Sequence, residues 1–111
     1  MKNSINKITL SGNVGTQPTI KVIANNKKRA YLSLATHEFI KTTDGKIKRL
    51  TVWHKVVLSG RLAELSENTI NKGAAIQIAG KLIKRIKKNK EGFIQTVSEI
   101  RAKDLVIVGK A

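Results

Sequence analysis

The chain has 111 residues, with 22 Lys and Arg against 7 Asp and Glu, a formal net charge of +15 and no cysteine. This length suits one domain over residues 1–111, the lack of cysteine excludes disulfides and thiolate chemistry, and no apolar run reaches the roughly 18 residues of a membrane span. So basic a chain attracts polyanions, which favours nucleic acid as its partner in a soluble, intracellular protein. A membrane surface is the alternative partner, but it prefers a basic amphipathic helix.

The first half of the chain is predicted to consist of strands separated by turns. Residues 6–14 alternate apolar and polar side chains, which indicates a half-buried strand. The segments 15–18 and 24–28 have the composition of turns. Residues 30–39 alternate again, with Leu32 and Leu34 predicted to point towards the core.

The next predicted strand contains the only tryptophan. An Asp-Gly pair at 44–45 predicts a hairpin before it. Along residues 51–59 the alternation places Trp53 and Lys55 on one face, and His54 on the other together with apolar residues. From this pattern alone, Trp53 could belong either to the core or to a surface that stacks flat rings. Because aromatic residues make up only 4% of the chain, the core is expected to be aliphatic.

A short helix and two more strands complete the prediction. Leu62, Leu65 and Ile70 have helical spacing, and Gly73 is a candidate C-terminal cap. Residues 74–87 return to a period of two, and a last strand is predicted within 93–108. The fold class is therefore all-β, and the order of elements matches a five-stranded OB-fold barrel with one short helix between strands 3 and 4. The order alone leaves other small all-β folds open.

Four segments of the chain resemble the bacterial single-stranded DNA-binding protein family, in order and in spacing. They read NKITLSGNVGTQP (6–18), LSLATHE (32–38), WHKVVLSGRLAE (53–64) and NKGAAIQIAGKL (71–82). The resemblance implies an OB fold that binds single-stranded DNA with little sequence preference, without catalysis or cofactor, and is usually assembled as a homotetramer. It also places Trp53 at the family's base-stacking tryptophan, with Lys55 positioned to meet a phosphate.

The resemblance also shows departures from the family at its other stacking positions. Ile40 stands where the family has an aromatic residue, with Phe39 next to it. Ser59 and Lys87 occupy two further aromatic positions. Phe39, Tyr31 and Phe93 are the rings that could compensate for these losses.

Basic residues are abundant at positions that the resemblance places in contact with the bound DNA strand or near it. We therefore predict that affinity depends on phosphate contacts more than on stacking, with about five phosphates neutralised per subunit. Each of these lysines could equally be a solvated surface charge. The nucleic-acid-binding residues predicted in addition to Trp53 and Lys55 are Phe39, Ile40, Lys41, Lys7, Lys21, Arg61, Lys72, Arg85, Lys87 and Lys88.

Several alternatives remain at this level. A dimer is possible instead of a tetramer, since +15 per chain implies strong self-repulsion. The sequence ends without the family's acidic tail, which predicts a short form with reduced recruitment of repair proteins. A nucleoid-associated, cytoplasmic location is expected. The alternative functions are an OB-fold adaptor of replication restart, which the primosomal replication-restart protein exemplifies, and an RNA-binding OB protein.

An enzyme is not expected. His37 and His54 are the only histidines, they fall on opposite strand faces, and no cysteine accompanies them, so a zinc site is improbable. Glu64 and Glu67 lie on the helix with the spacing of a solvated face rather than of a catalytic pair. No phosphate-binding glycine motif is present.

Overall fold

The computed structural model describes residues 4–110 as an antiparallel, mostly β structure with one α-helix and one 3-10 turn. The elements are, in chain order, β1 (Ile8–Val14), β2 (Thr19–Ile23), a 3-10 turn (Ala24–Asn26), β3 (Lys27–Lys41), β4 (Ile47–Ser59), α1 (Arg61–Thr69), β5 (Ala75–Lys88) and β6 (Ile94–Gly109). The predicted all-β fold class, with a short helix before the fourth long strand, is confirmed.

The structure has one strand more than the five predicted. The five predicted strands are present as β1, β3, β4, β5 and β6, and β2 is the addition. It pairs antiparallel with β3, from Thr19↔Tyr31 to Ile23↔Lys27. The turn predicted at 24–28 makes this pairing possible, because Asn25 and Asn26 adopt the left-handed φ that asparagine tolerates (64° and 59°).

The strand pairings form a closed ring. β1 pairs with β5 on one side and with β3 on the other, β3 pairs with β4, and β5 pairs with β6. A short parallel contact between β4 and β6 completes the circuit. Where β1 meets β3 the backbones are very close: a Cβ on Gly12 would lie 2.1 Å from the carbonyl oxygen of Ala35. Closing the ring therefore depends on a residue without a side chain at this point.

The interior is aliphatic, as the composition predicted. Its largest fully buried side chains include Leu34, Leu58, Ile70, Ile76 and Ile78. Each such side chain stabilises the fold by about 1.5–3 kcal/mol relative to an exposed position. Since β1, β3 and β5 each alternate buried and exposed residues, one face of every strand is left for the surface.

The helix differs in detail from its prediction. α1 buries Ala63 and Ser66, whereas Leu65 remains 38% exposed. The buried Ser66 hydroxyl donates to the carbonyl oxygen of Ala63 at 2.8 Å, which satisfies it. Gly73 is not the helix cap, because the helix ends at Thr69 and its C-cap is Ile70, whose N–H donates to the carbonyl oxygen of Ser66. Gly73 instead lies in the following turn with φ 95°.

Two hairpins extend beyond the closed ring. The β3–β4 pairing continues to Lys41↔Ile47, and the β5–β6 pairing continues to Lys88↔Ile94. We call these extensions the β3–β4 arm (residues 37–51) and the β5–β6 arm (residues 84–98). Nearly all their side chains are exposed, which contributes to the elongated shape of 56 × 39 × 38 Å. Within residues 4–110, no helix is both long and apolar enough to cross a membrane.

Candidate nucleic-acid interface

Trp53 lies on the outer surface of the ring. The register pairs Ala35 with Trp53 and Ser33 with Lys55, so the two side chains that the sequence placed on one face do share it. The indole is 61% exposed. The alternative that Trp53 is a core residue is therefore excluded, and the ring is available for stacking.

The position of the indole is set by backbone beneath it. A Cβ on Gly15 would lie 2.1 Å from Cζ3 of Trp53 and 2.9 Å from the hydroxyl of Ser33. The N–H of Gly15 in turn donates to the carbonyl oxygen of Ser33 at 2.8 Å. The ring therefore rests against the start of the turn that follows β1, which holds it in place while most of its surface stays open.

A continuous surface groove runs from Trp53 to the β5–β6 arm. One depression of about 380 Å³ lies beside Trp53, and a second of about 370 Å³ lies beside Arg85 and Lys87. Both are lined by Thr19, Tyr31 and Lys55. We call their union the Trp53 groove; its lining residues are Thr16, Thr19, Lys21, Tyr31, Leu32, Ser33, Trp53, His54, Lys55, Arg85 and Lys87.

The Trp53 groove combines rings with cations. Lys55 lies near Trp53, and the ammonium of Lys21 lies 5.3 Å from the centroid of the Tyr31 ring. Arg85 and Lys87 approach from the other side of the groove. Such a surface can stack a flat ring and neutralise the phosphates on either side of it.

Further predicted residues extend this surface along the β3–β4 arm. Phe39 and Lys41 have the same strand parity as Ala35, the partner of Trp53, so they fall on the face of Trp53. Phe39 is 72% exposed. It lies four residues from Ala35, which corresponds to about 13 Å along the strand.

The remaining predicted residues do not converge on the Trp53 groove. Ile40 lies on the opposite face of β3 from Phe39, and Lys88 on the opposite face of β5 from Lys87. Lys7 lines a different depression, together with Lys81 and Lys103. Arg61 begins α1 and Lys72 follows it, and neither lines the groove. A role for these five residues stays a prediction.

His54 has the opposite strand parity from Trp53, and its ring makes a contact within the β3–β4 pair. Its Nε2 lies 2.9 Å from the hydroxyl of Thr36, which is diagonal to it across the β3–β4 pair. The strand parity of His54 predicts a role in packing or at a subunit interface rather than in chemistry, and this contact supports packing. No group of three or more candidate metal ligands occurs in the part of the chain that the structure describes.

Two features of the site were missed by the sequence reasoning. Gly15 was assigned only to a turn, and its contact with Trp53 has no local signal. Glu99 was not singled out, although it is 97% buried next to the groove: its carboxylate oxygen Oε1 lies 3.4 Å from Nε of Arg85 and 3.6 Å from Nη2 of Arg101. The alternation of β6 could have assigned Glu99 to a face of the strand, but it could not have predicted its partner Ile83 or its burial.

Comparison with known proteins gives a consistent result. The family model described as "Single-strand binding protein family" matches residues 5–108. A Single-stranded DNA-binding protein 1 of Xylella fastidiosa is 36% identical over 108 residues, covering 96% of this chain and 79% of the relative. A protein of the same name from Chlorobaculum tepidum is 31% identical over 110 residues, covering 98% and 68%.

A solved structure has the same architecture. It is the Plasmodium falciparum SSB complex with ssDNA, which superposes with a TM-score of 0.88 at 30% sequence identity. The match covers 96% of this chain and 97% of the other.

Proposed function

The chain belongs to the single-strand binding protein family, and on this premise we propose that it binds and protects single-stranded DNA without marked sequence preference. Its task would be to cover strands exposed during replication, recombination and repair. The work is done by stoichiometric binding, without catalysis. Residues 1–111 act as one OB-fold binding domain, and the continuous hydrophobic core supports this.

In this proposal the single-stranded DNA lies along the Trp53 groove. A base stacks on Trp53, which contributes about 1–3 kcal/mol and tolerates any sequence because every base has a π-face. Lys55, Arg85 and Lys87 meet the phosphates on either side. Tyr31 and Phe39, on the same face of the β3–β4 pair, offer further stacking surfaces in place of the aromatic positions that this chain lacks.

The observation that carries the proposal is the exposure of the only tryptophan within a cationic groove. Binding should therefore quench its fluorescence. Titration with a short oligo-dT at moderate salt should give a saturable loss of tryptophan emission. If a separate assay shows that the oligonucleotide binds while the tryptophan emission stays constant, the DNA does not lie on Trp53. A matched oligoribonucleotide as competitor tests the preference for DNA.

We also propose that the chain forms a homo-oligomer, either a tetramer or a dimer, that works in the cytoplasm at the nucleoid. On the β5–β6 arm, Ile86 and Ile94 are 79% and 74% exposed on the face opposite Arg85 and Lys87. Such apolar surface is typical of contacts between proteins. Light scattering with and without oligo-dT should give a multiple of the 12.2 kDa chain mass; a monomer under both conditions contradicts the proposal.

A further inference from the structure

β4 and β6 touch over a very short length, and a notch opens where they part. The two strands pair only at Val56↔Ile100 and Val57↔Arg101. On the side of Trp53 they diverge, and a cavity of about 110 Å³ lies between them. We call it the Glu99 notch; its lining residues are Trp53, His54, Lys55, Leu82, Ser98, Glu99 and Ile100.

The notch contains a buried acid on an otherwise cationic surface. Glu99 is 3% exposed, and its oxygen Oε2 has no hydrogen-bond partner among the described residues. Its other oxygen makes only the two long ion pairs to Arg85 and Arg101. A buried carboxylate oxygen without a partner is costly, so such a group calls for a ligand or another explanation.

The chemistry of this group defines what it can bind. An ionised carboxylate accepts hydrogen bonds and donates none. The exocyclic amino group of cytosine is a donor that glutamate recognises in nucleic acids. Uracil and thymine carry a carbonyl oxygen at the same ring position, which a carboxylate repels.

We propose that the Glu99 notch receives the amino-bearing edge of a base stacked on Trp53, with Oε2 of Glu99 accepting the hydrogen bond. The inference rests on the proposed function and adds a base preference to it. Arg85 and Arg101 approach only Oε1 of Glu99, at 3.4 and 3.6 Å, so Oε2 stays without a partner. Because Oε2 is itself buried, the base reaches it by displacing side chains that line the notch.

The preference is tested with decamers of dC and dU, which differ only at ring positions 3 and 4. Affinities are measured from the fluorescence of Trp53 at pH 8 and one salt concentration. The wild-type chain should bind oligo-dC a few-fold more tightly than oligo-dU, because the single hydrogen bond to Oε2 discriminates less than a bidentate side-chain–base pair does. In Glu99→Gln this ratio should fall close to one, because an amide can also donate to the uracil carbonyl.

Glu67→Gln is the matched control. It makes the same change of net charge on α1, where Glu67 pairs with Lys28. It should alter both affinities together and leave their ratio unchanged. Ser98→Leu keeps Glu99 but places a larger side chain in the lining of the notch. It should also bring the ratio of the dC and dU affinities close to one. The inference can therefore be tested even if Glu99→Gln does not fold.

The outcomes separate the inference from the proposed function. The inference is overturned if the wild-type chain binds oligo-dC and oligo-dU equally. It is also overturned if the preference persists in both notch variants. Glu99 would then serve only as an anchor for Arg85 and Arg101. Failure of the wild-type chain to bind either oligonucleotide overturns the proposed function itself.

Discussion

At the scale of single residues, the position of the Trp53 indole depends on the close approach of Gly15. A Cβ on Gly15 would lie 2.1 Å from Cζ3 of the ring, while Trp53 as a whole stays 61% exposed. A ring held in this way loses little conformational freedom when a base stacks on it. Single residues also set the local charge. Glu99 forms ion pairs with Arg85, which lines the Trp53 groove, and with Arg101.

Removing the ring should weaken binding without unfolding the chain. Trp53→Ala is expected to lower the affinity for oligo-dT by about 5- to 150-fold, corresponding to about 1–3 kcal/mol of stacking. Fluorescence anisotropy of a labelled oligonucleotide measures this. Trp53→Phe, which keeps a flat ring, should lose much less. Equal losses in both variants would show that the ring does not stack.

Adding a single methyl group at Gly15, against the Trp53 indole, should also weaken DNA binding. Gly15→Ala places a Cβ 2.1 Å from Cζ3 of Trp53, so the indole must move. We expect a shifted emission maximum and a several-fold lower affinity for oligo-dT. Gly109→Ala is the control, because its Cβ would meet only the Cβ of Ala75 at 3.8 Å. Unchanged emission and affinity in Gly15→Ala would contradict the contact.

At the scale of elements, the two arms carry the binding face beyond the barrel. Each arm has two different faces because side chains alternate along its strands. On the β5–β6 arm, Arg85 and Lys87 face the groove, while Ile86 and Ile94 face away from it. The stability of each arm depends on its own pairing and turn, since few of its side chains reach the core.

The turn of the β3–β4 arm should open at low pH. The carboxylate of Asp44 accepts from the Thr42 hydroxyl, the largest cause that lowers its pKa below the usual 3.8, and from the N–H of Lys46. Because the folded pKa is the lower one, this contribution is complete above pH 3.8 and is lost as the pH falls through the folded pKa.

NMR provides the measurement for this turn. The Asp44 carboxyl should titrate with a midpoint below 3.8, and exchange of the Lys46 amide should accelerate over the same range. In Asp44→Asn, which does not titrate, that pH dependence should disappear. A midpoint at or above 3.8 would contradict the bonding seen in the turn.

At the scale of the whole molecule, we expect the net charge to govern the affinity for nucleic acid. A formal +15 on 111 residues attracts any polyanion, and the groove concentrates part of that charge beside the rings. The residues that do not line the groove, including Lys7, Arg61 and Lys72, still add to the long-range attraction. Binding should therefore depend strongly on ionic strength.

The salt dependence can be stated quantitatively. If about five phosphates are neutralised per subunit, a plot of log K against log salt for oligo-dT should have a slope of about −3 to −4. Lys55→Ala should make the slope less steep by about 0.7. Lys103→Ala, outside the groove, should leave the slope almost unchanged. Binding that hardly varies with salt would reject the phosphate contacts.

The alternation of side chains was sufficient to predict the five long strands and the face shared by Trp53 and Lys55, and the low aromatic content predicted the aliphatic core. These properties are local, because the pleat of a strand sends neighbouring side chains to opposite faces. The prediction missed β2, a strand of only five residues. The regular alternation predicted over residues 74–87 also gave no sign that β5 leaves the barrel before Ile86, which is 79% exposed.

The chain's sequence therefore determined its family, its strands and the character of its binding face. Only the tertiary structure decided that Lys21, Arg85 and Lys87 meet Trp53 in one groove, that Gly15 supports the indole, and that Glu99 is buried beside it. The physical reason is that these contacts join strands far apart in the chain. Their geometry follows from the register and closure of the ring, which no local pattern of residues encodes.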